Sequence, residues 1–315
     1  MLETIEPEVI KRLIDRSDEI RQGSPTRSGV TAALALGSIP IALAALSRDA
    51  GAQVSTTIKN VLDFALALEI FENEFYKAVL GSSLSAAQNN AFATVRAKAM
   101  AVPGAVNTLD QIQRHETAHV ATLTALGATN VFNLSATTFD FTGARGAGNG
   151  PFAGATTDLP FLLEVAQGAE DTGVRAYKGQ AGNLMSNAAI LEGALRIHSV
   201  EARHAARIRR MRRLAAGASA TVRLSGTVRG GGASAAGGSG SEPAGVVAAF
   251  NAIYGAGANS TSAPSESNTI QAGLNVASLS GASFGADAGS EAFDEPLDRA
   301  DVVAIVQPFF IPTIS

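Results

Sequence analysis

From Ser55 to Leu214 apolar residues recur every three or four positions, the spacing that gathers them on one face of an α-helix. Four long segments carry this pattern. The first, 55–81, opens on Ser-Thr-Thr and stops at Gly81; the second, 103–127, opens on Pro103 and stops at Gly127, both ordinary helix punctuation. The third spans 159–182 and the fourth 187–217, with room for a shorter helix over 84–101. Residues 128–158 break the rhythm, with turn residues and one extended piece, "TTFDF" at 137–141. Two long helices, a long crossover and two more long helices predict an all-α, four-helix bundle.

Composition shifts on either side of the bundle and divides the chain into 1–54, 55–214 and 215–315. Residues 1–54 begin with an amphipathic helical pattern and a Gly-Ser-Pro break. An apolar run over 29–47 follows, near the minimum for spanning a bilayer, then Ala50-Gly51-Ala52, similar to a signal-peptidase site. Six acids against five bases over 1–28 oppose a secretory leader, so two readings stand. One is an exported or envelope-associated protein, touching a membrane through 29–47. The other is a cytoplasmic protein that keeps the segment packed on itself or on a neighbouring subunit. In 215–315 Gly, Ala and Ser dominate, with a strand-like "TVRLSGTVRG", a short helical pattern in "EPAGVVAAFNAIYG" and an apolar end, "VVAIVQPFFIP". That end is expected to pack on the bundle, because exposed it would invite aggregation.

With 315 residues, 46% of them hydrophobic, the chain has ample material for a core. A net charge of −4 gives no sign of a polyanion partner such as nucleic acid. The absence of cysteine removes disulfides, thiolate metal sites and iron–sulfur clusters, so any metal must be held by oxygen and nitrogen.

Two of the four histidines stand in one stretch, "RHETAH" at 114–119, and the other two in "HSVEARH" at 198–204. Both stretches contain Glu-x-x-His, Glu116 with His119 and Glu201 with His204, a spacing that sets a carboxylate and an imidazole one turn apart on one helix face. The preceding helices also match. The row Leu62, Ala65, Leu66, Glu69, Asn73, Tyr76 parallels Leu163, Ala166, Gln167, Glu170, Val174, Tyr177, each with Glu followed seven residues later by Tyr. A Glu-x6-Tyr helix followed by a Glu-x-x-His helix is thus repeated in the two halves of the bundle. Four inward carboxylates would repel one another and resist burial, whereas two divalent cations cancel their charge and two histidines complete an oxygen- and nitrogen-donor set. One Glu from each of two helices and Glu-x-x-His from each of the other two is a dinuclear carboxylate pattern.

On these motifs residues 55–214 resemble the ferritin-like superfamily. The phrases "LDFALALEIFENEFY", "RHETAH" and "HSVEARHA" and the tail "FDEPLDRADVVAIVQPF" are similar to the bacterial and plant ferritin-like proteins called desiccation-related. The resemblance implies two iron or two manganese ions, iron slightly preferred. Glu69 and His119 would be terminal on one metal, Glu170 and His204 on the other, and Glu116 and Glu201 would bridge. It also implies chemistry on Fe(II), O₂ or peroxide in stress protection, with no catalytic residue beyond the metal centre, and a homo-oligomer. The alternative is a structural or assembly protein whose metal site is inactive.

Tyr76, Tyr177, His198 and Gln113 are candidates to support the ligands from behind. His115 lies one residue off the ligand face and is expected to pack or to line an interface. Glu72, which matches Gly173 in the second half, and Glu74 are expected to be ordinary solvated or paired acids. The arginines of "RHAARIRRMRRL" are expected to complement the helix C-terminus and to pair between subunits.

Overall fold

The computed structural model describes residues 55–215, 244–254, 266–281, 289 and 292–314. The apolar run 29–47 and the strand-like "TVRLSGTVRG" lie outside the described residues. The four long helices are α1 (Thr56–Leu80), α4 (Ala105–Ala125), α5 (Leu159–Gln180) and α6 (Ala188–Ala215). Their ends follow local chemistry. Ser55 caps α1 by accepting from the Ile58 amide at 3.3 Å, and Asp158 caps α5 by accepting from the Phe161 amide at 2.8 Å.

The segment expected as one short helix is two, α2 (Ala86–Ala91) and α3 (Ala93–Met100). The break falls at Phe92, whose backbone leaves the helical region while its buried ring packs edge-on against Phe75. Beyond the bundle come α7 (Ala244–Tyr254) and α8 (Arg299–Val306), with a minimal antiparallel pair, β1 (Ile270–Gln271) and β2 (Leu274–Asn275). Among the described residues no helix is long and apolar enough to cross a membrane.

Helix α1 packs along α4 and α5 along α6, so the two halves of the sequence repeat form two helix pairs. The crossover and the C-terminal tail cover the outer side of α1. Phe139 forms an antiparallel bridge with Phe310, the Asp140 amide donates to Phe309 O at 2.8 Å, and the Ile311 amide donates to Thr138 O at 3.0 Å. Rings from both segments meet Phe71 of α1, with centroids 5.5 Å away for Phe310 and 5.8 Å for Phe139. Covering α1 on this side as well leaves very little of it in water.

The tail is also fastened to α5. Gly179 allows close approach, since a Cβ there would lie 1.8 Å from Leu297 O. Arg175, with 1% of its surface exposed, donates to Glu295 O at 2.8 Å and to Ile253 O, and pairs with Glu266 at 3.2 Å. Breaking a buried ion pair from one side strands the other charge, so Arg175→Ala is expected to lower stability by about 3–5 kcal/mol. Urea unfolding of the full-length chain measures this; a loss below about 1 kcal/mol, the usual worth of a surface pair, contradicts it.

Candidate metal centre

All six residues of the repeated pattern converge between the helix pairs, and none exceeds 6% exposure. Glu69 comes from α1, Glu116 and His119 from α4, Glu170 from α5, and Glu201 and His204 from α6. His119 Nδ1 lies 3.0 Å from Glu69 Oε2, 3.0 Å from Glu116 Oε2 and 2.8 Å from Glu201 Oε1. His204 Nδ1 lies 2.9 Å from Glu116 Oε1, 3.1 Å from Glu170 Oε2 and 3.5 Å from Glu201 Oε2. Glu116 and Glu201 therefore turn one oxygen to each imidazole. Glu69 and Glu170 each serve one. The result is two overlapping four-residue groups that share Glu116 and Glu201.

This donor set fits a pair of cations better than it fits itself. A single ring nitrogen carries at most one proton, yet each Nδ1 faces three carboxylate oxygens. Glu116 Oε1 and both oxygens of Glu201 are buried with no hydrogen-bonding neighbour other than these two imidazoles. In octahedral coordination at about 2.1 Å, adjacent ligand atoms stand about 3.0 Å apart, close to the spacing of these atoms. Carboxylates and imidazoles without sulfur suit first-row divalent metals such as iron or manganese.

In the metal-free chain protons take the cations' place. Burial, only partly offset by His119, pushes Glu69 up to about 8. Burial also leads in raising Glu170 well above the carboxylate range. For His204 burial acts the other way, but the Glu170 charge and hydrogen bonds to Glu116, Glu170 and Glu201 outweigh it, pushing the imidazole up to about 12. His119 is likewise raised, against burial, by the Glu69 charge and by hydrogen bonds to Glu116, Glu201 and Glu69. Glu201 is held low despite burial by hydrogen bonding and charge from both histidines.

The two tyrosines cross between the halves. Tyr76 of α1 donates to Glu170 Oε1 of α5, and Tyr177 of α5 donates to Glu69 Oε1 of α1 at 2.5 Å. Each phenol thus orients the other half's carboxylate. Burial first, and then the facing carboxylate, raises both phenols far above their ordinary range, so both remain donors.

Glu72 departs from the expectation of a solvated or paired acid. It is 3% exposed, and its Oε1 occupies space beside Gly173, 3.5 Å from where a Cβ would stand. Burial leads in raising its pKa well above normal, followed by repulsion from Glu201, Glu170, Glu116 and Glu69. It is a fifth carboxylate facing the ligands. The signal was present in the sequence: Glu69, Glu72 and Tyr76 stand at i, i+3 and i+7 on one face, opposite a glycine small enough to admit the side chain. Glu74, 9% exposed, pairs with Lys77 at 2.7 Å, as a paired acid should.

His115 is placed differently from a packing residue. Its Nδ1 is 2.9 Å from His204 Nε2, on the side of that ring away from the carboxylates. Gln113 bonds Asn73 at 2.9 Å and Thr117 at 2.8 Å, joining α4 to α1 without touching the ligands. His198 Nε2 is buried without a partner among the described residues, and that ring makes no hydrogen bond to a ligand. Near the end of α6, Arg209 pairs with Asp171 at 2.6 Å, and Arg212 bonds Gln167 at 2.7 Å and lies 3.7 Å from Glu164. These two arginines are used inside the chain, because α5 offers buried acids at the same level.

Residues 58–213 match the ferritin-like domain family, so this part of the chain is a ferritin-like domain. Comparison with curated proteins and with solved structures gave no match.

Proposed function

We propose that the chain is a dinuclear iron or manganese oxidoreductase of the desiccation-related kind, oxidising Fe(II) or removing peroxide in stress protection. The observation that carries the reading is the sharing of Glu116 and Glu201 between two histidines, each completed by its own glutamate. A bound metal pair supplies redox equivalents and Lewis acidity to O₂ or peroxide. The chain's part is to hold the pair at fixed separation through Glu116 and Glu201 and to orient Glu69 and Glu170 through the crossed tyrosines. Burial of the ligands keeps bulk water away.

The test uses the purified full-length chain: metal per chain, and turnover with Fe(II) plus O₂ or with peroxide. About two equivalents with turnover, both lost in Glu116→Ala, supports the reading. No metal, or metal without turnover, overturns the enzyme reading and leaves the structural or assembly alternative.

Glu72 provides a separate check. Unfolded, its carboxyl ionises above about pH 4.5, whereas folded it keeps its proton, so the metal-free fold loses ground as pH rises. Glu72→Gln removes that loss. The variant's metal-free form is expected to gain stability over the parent chain, and to gain more at pH 7 than at pH 5. Urea unfolding at the two pH values measures the difference; an equal or reversed effect contradicts the placement of Glu72.

A further inference from the structure

His204 also closes the inner end of a cavity of about 570 Å³ between α4 and α6, lined by Asn107, Thr108, Gln111, His115, Arg203 and Arg207 among others. No carboxylate lines it. Arg203 and Arg207 stand one turn apart on α6, and neither forms an ion pair among the described residues. Arg207 Nη2 donates to Thr108 Oγ1 at 3.1 Å, holding one guanidinium across the wall between the helices.

The remaining polarity follows from the histidines. His204 Nδ1 faces three carboxylates; when it holds a metal, the ring's proton sits on Nε2. Nε2–H then donates to His115 Nδ1 at 2.9 Å, with the two rings nearly parallel and their centroids 5.1 Å apart. His115 is left with its own N–H on Nε2, 2.6 Å from the Gln111 amide. Hydrogen-bond logic then assigns the Gln111 oxygen to that contact and leaves its NH₂ as a further donor. Two guanidiniums and an amide NH₂, with no carboxylate among them, give the cavity a mostly donating lining, the chemistry that selects oxoanions. His119 has no equivalent: among the described residues its Nε2 makes no hydrogen bond.

We propose that this cavity binds a small oxoanion, a phosphate or an organic carboxylate, and that His115 links its occupancy to His204 and hence to only one of the two metal positions. The link rests on the reading of His204 as a ligand; the anion site does not.

The test titrates the metal-free, full-length chain with inorganic phosphate and with citrate by calorimetry, against chloride at equal ionic strength. Saturable binding of one anion per chain is expected, weakened at least tenfold in the Arg203→Gln/Arg207→Gln double variant. Both positions are exposed, so circular dichroism and metal stoichiometry should be unchanged. Phosphate alone binding identifies a phosphate site, and citrate alone an organic carboxylate site. No saturable binding beyond chloride, or undiminished binding in the double variant, overturns the proposal even if two metals still bind. Side-chain NMR of the histidines tests the link: anion should shift His115 and His204 and leave His198 in place, and binding that leaves the first two unmoved overturns the coupling.

Discussion

Glu201→Ala is expected to empty both metal positions, whereas Glu69→Ala is expected to empty only the position beside His119. The difference lies in how the oxygens are shared. Glu201 presents Oε1 to His119 at 2.8 Å and Oε2 to His204 at 3.5 Å, while Glu69 reaches His119 alone. Without Glu201 each position loses a donor and the pair loses a common ligand and a negative charge. Without Glu69, the group Glu116, Glu170, Glu201 and His204 is intact. Metal analysis after dialysis should read near zero for Glu201→Ala and near one per chain for Glu69→Ala. Circular dichroism on both variants checks that they remain folded, so that the metal counts report ligation. Equal metal content in the two variants would contradict the shared arrangement.

Loading the centre is expected to be the largest single stabilisation available to this chain. A ligand at 100 times its dissociation constant adds about 2.7 kcal/mol per site, so two sites give about 5 kcal/mol and a rise in melting temperature of roughly 10–20 °C. The pH dependence has a definite sign. Glu69 holds its proton to about 8 in the fold but to only 4.5 when unfolded, so rising pH through that window weakens the metal-free fold. His204, raised from 6.5 to about 12, contributes stability that is full below 6.5 and is lost as pH climbs towards 12. Metals displace these same protons, so their affinity rises as pH rises. Calorimetric scans with and without Mn(II) should therefore show a gap that is wider at pH 8 than at pH 6. A constant or narrowing gap would show that the acids and histidines are not protonated together in the metal-free site.

The six ligand-type residues were legible because each half of the chain repeats the other, and helical spacing brings Glu116 beside His119 and Glu201 beside His204. Partnerships between helices were not. Tyr76 lies two turns from Glu69 in sequence yet serves Glu170, because the side chains cross the space between the two helix pairs. Reading α1 along Glu69, Asn73 and Tyr76 hid Glu72, whose burial depends on the small surface of Gly173 on another helix. His115 is off the ligand face of α4 but reaches the far side of His204 on α6, a relation set by how the helices meet. The bridge of Phe139 to Phe310 joins distant parts of the chain, and no local pattern encodes it.

The most direct test of a shared, two-metal centre is an anaerobic Mn(II) titration of the chelator-treated full-length chain, followed by electron paramagnetic resonance. The account predicts saturation at two ions per chain with a spin-coupled signal, because Glu116 and Glu201 hold the ions as neighbours. Saturation below two ions, or two ions with the signal of isolated Mn(II), would contradict it.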